Sequence, residues 1–173
     1  MKMNIPNILT IVRVILVPVF FLCLYWNRYF ALAVFIAASL TDFLDGHLAR
    51  KNNQITNFGK FMDPLADKLL VTTALISLAC FGQIPAWVAI IVVGRDLAVD
   101  GLRMVAASRN IVMAAGWSGK IKTAVTMVSI CVMLVFHDIE LVNIICSGLI
   151  LVLNIVSLVD YFHANGKVLL DAE

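Results

Sequence analysis

The chain has 173 residues, 62% of them hydrophobic and 14% charged, and a formal net charge of +2, with a mean hydropathy of +0.98. A soluble domain carries about 25% charged and about 45–50% apolar residues. Here the apolar excess runs along the whole chain, which excludes a soluble domain with one anchor and points to a polytopic membrane protein. No basic tract with interleaved aromatics appears, so nucleic acid is not an expected partner.

A spanning helix needs about 20 mainly apolar residues, and the sequence predicts about six in one transmembrane domain, residues 1–173. In chain order they run from Ile8 to Trp26, Tyr29 to Ala49, Phe61 to Phe81, Pro85 to Ala107, Gly119 to Phe136 and Leu141 to His163. The first follows Lys2 but continues to Trp26 with no small-residue cleavage pattern, so it reads as a retained span rather than a signal peptide. Cys23, Cys80, Cys131 and Cys146 stand singly in apolar runs with no metal-ligand spacing, as small core or lipid-facing residues do.

The connections alternate in character. Residues 27–29, 82–84 and 137–140 are short and hold only Arg28 as a cation. The longer, polar set comprises both termini, 50–60 and 108–118. Lys2, Arg50, Lys51, Lys60, Arg109, Lys120, Lys122 and Lys167 lie in it or at its edges. The positive-inside rule therefore expects both termini and both longer loops in the cytoplasm. Most intramembrane charges fall near that side, so the expected architecture is an all-α bundle with one polar cavity open to the cytoplasm. The outer half reads as almost uniformly apolar, which counts against a channel or carrier.

Four aspartates, Asp42, Asp45, Asp63 and Asp67, fall in the second and third spans, where carboxylates are expensive and mark function. At about 100° per residue, Asp42, Asp45, Gly46, Ala49 and Arg50 share one face of the second span. Asp63 and Asp67 stack on the third, with Gly59 and Lys60 on the same side. The connection is short enough to make the two helices antiparallel neighbours. Four converging carboxylates cannot all stay ionised without cations. One outcome is a pair of hard divalent ions, Mg²⁺ or Mn²⁺, clamping a phosphorus centre. Gly46 and Ala49 leave room for a nucleotide head group, and Arg50 suits a pyrophosphate oxygen. The other outcome is a proton or ion relay, or acids paired with Lys60, Lys68 and Arg50 for packing alone.

The pattern D-x-x-D-G-x-x-A-R, eight residues, then G-x-x-x-D-x-x-x-D resembles the signature of the CDP-alcohol phosphotransferase family at every position. Asn4 to Arg13 is similar to the family's N-terminal entry. Gly59 to Val71, Gly94 to Arg103 and Gly119 to Thr123 resemble the branch that makes phosphatidylglycerophosphate. The resemblance implies six helices around the cavity, with Asp42, Asp45, Asp63 and Asp67 on two divalent metals that hold a CDP pyrophosphate. It implies Asp67 as general base, CDP-diacylglycerol as donor, CMP as leaving group and sn-glycerol 3-phosphate as acceptor. Gly46, Ala49, Arg50 and Gly59 are the candidates for the donor side, and Thr10 on the first span is a candidate for contact with the CDP-diacylglycerol nucleotide or the acceptor; the expected setting is a multi-pass protein of the inner (cytoplasmic) membrane.

An acceptor phosphate needs cations, and Arg95, Arg103, Lys120 and Lys122 are the available set. Asp96, Asp100 and Arg103 share a face of the fourth span; they read either as acceptor-site residues or as a salt-bridge ladder along that helix. Lys120 and Lys122 read either as phosphate ligands or as anchors reaching to lipid headgroups. Inositol phosphate, serine or phosphatidylglycerol are the alternative acceptors, and a divalent-cation carrier is the alternative class. A bundle this small, with lipid-facing small residues, could form a homodimer.

Overall fold

The structure, a computed structural model, describes the backbone of residues 5–51, 57–108 and 116–170, and the side chains of 8–41, 65–66, 68–106 and 116–165. Six helices account for nearly all of it: α1 (Ile5–Trp26), α2 (Arg28–Lys51), α3 (Asn57–Cys80), α4 (Ala86–Ser108), α5 (Trp117–Val135) and α6 (Glu140–Leu170). Each expected span is present. α3 starts at Asn57 rather than Phe61, and α6 continues to Leu170 rather than His163. The first extension carries Asn57 and Lys60 and the second Asn165 and Lys167, polar residues at which a hydropathy reading stops although the helix does not.

The side-chain distribution is inverted relative to a soluble protein. Leu22 is 67% exposed and Ile90 70%, and Leu97, Val128 and Ile144 are comparably open, whereas Thr10, Arg13, Ser77, Thr126, Ser129 and Asn154 are buried. An apolar exterior around a partly polar interior suits a lipid solvent. By length and composition three described segments can cross a membrane: Ile8–Trp26, Trp117–Val135 and Glu140–Asn165. α2 and α3 contribute shorter apolar segments, Arg28–Thr41 and Lys68–Cys80. α4 is not among them because Arg95, Asp96, Asp100 and Arg103 lie within it, and these turn inward, as shown below. The chain is a membrane protein built as an all-α bundle.

α1 packs along α2 and α3, and α5 along α6; α2 and α3 each touch α5, and α4 is held by α3 and α6. The short connections gather at one end. Asn27 caps α2 by accepting from the Tyr29 amide at 2.8 Å. α3 ends with Gly82 at φ 73°, its amide donating to Ala79 O at 3.0 Å and the Gln83 amide to Leu78 O at 2.9 Å. This is the paired closure of a helix terminus through a left-handed residue. Gln83 Nε2 then donates to the carbonyls of Met133 and His137, and Asn143 Nδ2 donates to the latter as well. The Phe81 ring meets Tyr25 at 5.4 Å and lies under the Arg28 guanidinium at 5.3 Å. All three helix hairpins are thus tied together at this end.

The half of the bundle toward the short connections, expected to be almost uniformly apolar, is less so, since Ser77, Gln83, Ser129, Asn143 and Ser147 are buried there. They do not form a path. Ser77 and Ser147 donate to carbonyls one turn back, at 2.6 Å each, which satisfies a hydroxyl in apolar surroundings. Phe20, Phe35, Leu75, Leu78, Ile130, Met133 and Leu134 fill the space between them. The four cysteines are free.

Gly82 meets nothing within 4 Å of an added Cβ, so the cost of a side chain there is that of the backbone alone. Gly82→Ala is expected to lower stability by about 1–2 kcal/mol, the penalty of a left-handed L-residue. Unfolding in mild detergent measures this, and an unchanged midpoint would mean that the turn does not need its positive φ.

Candidate functional site

α4 and α5 follow one another in the chain, yet among the described residues their backbones make no close approach. Between them lies a cavity of about 780 Å³, walled by α3, α4, α5 and α6. Its lining comes from residues 68–75 of α3, 92–103 of α4, 116–127 of α5 and 157–165 of α6. It therefore sits at the end opposite Gln83 and His137, where α2 finishes and α3 begins.

Among the described residues the lining holds five cations, Lys68, Arg95, Arg103, Lys120 and Lys122, against three carboxylates, Asp96, Asp100 and Asp160. Asp96 is the most engaged. Lys122 Nζ donates to both its oxygens, at 2.6 and 2.7 Å, and Arg95 Nη1 donates to Oδ1 at 3.0 Å. Arg95 Nη2 donates to Ser157 Oγ on α6 at 2.8 Å, and its buried Nε has no hydrogen-bond partner among the described residues. This group ties α4 to α5 and α6. Asp100 pairs with Lys68 and ties α4 to α3.

Two further cations rest on aromatic rings. The Arg103 guanidinium lies 5.4 Å from the centre of the buried Tyr161 ring, and Lys120 Nζ lies 4.9 Å from that of Trp117. A ring face holds a cation without neutralising it, so both keep their full charge toward an anion. The ladder considered along α4 does not form among the described residues. Asp96 and Asp100 pair chiefly with neighbouring helices, because side chains that face a cavity meet the opposite wall before their own helical neighbours.

The structure thus brings Arg95, Arg103, Lys120 and Lys122 onto one cavity. Thr10 is fully buried in α1 and is not among the residues lining that cavity. Asp42, Asp45, Gly46, Ala49 and Arg50 lie on the helical backbone of α2, and Gly59, Asp63 and Asp67 on that of α3; their side chains are outside the described residues. Among the described residues no three potential metal ligands cluster, and the four aspartates are not in that set.

The contribution of α6 escapes a hydropathy reading. Ser157, Asp160, Tyr161, Ala164 and Asn165 all line the cavity, at spacings of three and four residues. That polar stripe in an otherwise apolar span is the signal by which they could have been found.

The CDP-alcohol phosphatidyltransferase family model matches residues 3–159, and the chain belongs to that family. A Bacillus subtilis (strain 168) protein named CDP-diacylglycerol–glycerol-3-phosphate 3-phosphatidyltransferase is 41% identical over 96% of this chain and 97% of its own. A protein of the same name from Escherichia coli (strain K12) is 37% identical over 99% of this chain and all of its own. A probable phosphatidylglycerophosphate synthase from Mycobacterium tuberculosis (strain ATCC 25618 / H37Rv) is 37% identical over 91% of this chain and 79% of its own.

Because Asp96 serves two cations, its loss should cost more than the loss of either partner. Asp96→Ala leaves Lys122 and Arg95 mutually repelling in a partly buried site, at a cost of about 2–4 kcal/mol. Lys122→Met leaves Arg95 on the carboxylate and costs less. Thermal unfolding of both variants in detergent tests the asymmetry; equal losses would show that Arg95 does not share the carboxylate.

Proposed function

We propose that this chain is a metal-dependent enzyme of phospholipid biosynthesis. It transfers the phosphatidyl group of CDP-diacylglycerol to sn-glycerol 3-phosphate, giving phosphatidylglycerophosphate and CMP. The observation that carries the acceptor half is the convergence of five cations on one cavity beside the helix ends that bear the aspartate motif. A surplus of positive charge favours a phosphorylated alcohol over serine, and the names of the near full-length relatives point the same way.

The donor set fits hard divalent ions. Asp42, Asp45, Asp63 and Asp67 offer only carboxylate oxygen, three and four residues apart on two helices separated by residues 52–56, which suits Mg²⁺ or Mn²⁺ rather than a nitrogen- or sulfur-seeking metal. These four residues would hold two such ions, which when bound supply charge neutralisation at the pyrophosphate and the departing CMP. Gly46, Ala49 and Gly59 let the nucleotide approach the helix backbones, Arg50 binds a pyrophosphate oxygen, and Thr10 belongs to the donor side.

The acceptor's phosphate is held by Arg103 and Lys120, whose charges are not spent on carboxylates, with Arg95 and Lys122 behind them. Asp67 takes the proton from the C1 hydroxyl of glycerol 3-phosphate. That oxygen attacks the β-phosphorus of CDP-diacylglycerol in line, the bond from phosphorus to the CMP oxygen breaks, and CMP leaves. No covalent enzyme intermediate is needed. The protein lies in the cytoplasmic membrane with both termini and the cavity on the cytoplasmic side, since cations crowd the connections at that end and Arg28 alone marks the short ones.

Purified protein in detergent or vesicles, given CDP-diacylglycerol and Mg²⁺, should release CMP with glycerol 3-phosphate and not with serine, inositol phosphate or phosphatidylglycerol. Preference for one of these others would reassign the acceptor. Chelation should abolish the reaction, and added Mg²⁺ or Mn²⁺ should restore it; turnover that survives chelation would remove the metal role. Asp67→Asn should lower turnover by roughly 10²–10⁴-fold while CDP-diacylglycerol binding persists. Unchanged turnover in that variant would take the general-base role from Asp67.

A further inference from the structure

Asp160 is out of keeping with its surroundings. It lines a cavity whose charge is otherwise arranged for an anion. The other two carboxylates there are engaged, Asp96 by Lys122 and Arg95 and Asp100 by Lys68. Asp160 is exposed and makes no ion pair or hydrogen bond among the described residues. A partner is available nearby, yet Arg103 lies on the ring of the very next residue, Tyr161. A free carboxylate beside a phosphate site weakens anion binding through like-charge repulsion, so it needs a compensating contact with the ligand.

An ionised carboxylate only accepts hydrogen bonds, and a hydroxyl is the donor that a polyol phosphate carries. On the functional reading above, the acceptor's phosphate goes to the cations and its C1 hydroxyl to Asp67. Its C2 hydroxyl is the donor left over. We propose that Asp160 is a specificity-determining residue that accepts a hydrogen bond from the C2 hydroxyl of the acceptor, and that its charge disfavours acceptors carrying a second anionic group near that carbon. Ser157 and Tyr161 fix the face of α6 that presents it, the first through Arg95 at 2.8 Å and the second beneath Arg103.

The test compares sn-glycerol 3-phosphate with 1,3-propanediol monophosphate, which lacks only the C2 hydroxyl, as acceptors in CMP release at saturating CDP-diacylglycerol. Wild-type kcat/KM should favour glycerol 3-phosphate by on the order of 10–100-fold, the range of a hydrogen bond to a charged group. In Asp160→Ala the preference should fall to within about 3-fold of unity, because only the hydroxylated acceptor loses a contact. Asp160→Asn keeps an accepting oxygen without the charge and should retain part of the preference. The KM for CDP-diacylglycerol should be unchanged in both variants, which separates this role from a general loss of structure. A wild-type ratio near one, or a wild-type ratio preserved in either variant, overturns the assignment. Protein that releases CMP with neither acceptor rejects the functional reading itself, whereas equal use of both rejects only the role of Asp160.

Discussion

An apolar bundle cannot leave an ionised side chain unanswered, and in this chain that constraint falls most heavily on Asp96. Lys122 is almost fully buried and delivers both its short contacts to that carboxylate, while Arg95 takes a share from the same helix. The ion pair reaches across the one place where, among the described residues, consecutive helices do not pack, between α4 and α5. It holds the two walls at a fixed separation without filling the space between them. A hydrophobic contact of the same span would have closed the gap, since apolar side chains gain by meeting. A charge pair with one carboxylate and two cations stays near the lining and keeps a surplus of positive charge.

That surplus is divided in a way that bears on binding. Lys68, Lys122 and Arg95 are committed to carboxylates and brace α3, α4, α5 and α6. Arg103 and Lys120 are held by ring faces, which restrain a long side chain while leaving its hydrogen-bond donors free. A cation already ordered on a ring loses less rotamer freedom when a phosphate arrives than one waving in solvent. The first group therefore shapes the cavity, and the second group supplies the charge that an acceptor would meet first.

Much of this was legible in the sequence, and the missing part has a common cause. Hydropathy marked all six helices because each carries a long apolar stretch, even where charges interrupt it in α4, and the helix ends at Asn57 and beyond His163 escaped because they lie outside that stretch. Arg95, Arg103, Lys120 and Lys122, which line the cavity, were recognisable as charges too costly to be idle. Their partners were not, since one-dimensional spacing reports neighbours on the same helix, whereas Asp96 and Asp100 look across to α5 and α3. The stripe from Ser157 to Asn165 was hidden by the strongly apolar residues around it. The buried Ser77 and Ser147 were passed over for another reason: each spends its hydroxyl on its own backbone, so neither disturbs the apolar packing that a hydropathy average detects. The aspartate motif was the clearest local signal, yet on the proposed reading it speaks for the donor half of the reaction alone.

The two ends of the bundle are built on opposite principles, and among the described residues the polar cavity lies at the end held by charges. At the closed end Phe81, Gln83 and Asn143 bind the three helix hairpins to one another through rings and backbone carbonyls, and Phe20, Phe35, Met133 and Leu134 fill the interior. At the open end the helices are held by charges set along the cavity wall, so the interior remains accessible and polar. A donor with its acyl chains in the membrane and an acceptor dissolved in water can meet only where a bundle is both polar inside and open to one face. On the proposed reading, the closed end supplies the rigidity that lets the open end remain unfilled. That is how a chain of this size could hold a lipid and a polyol phosphate in the same reaction.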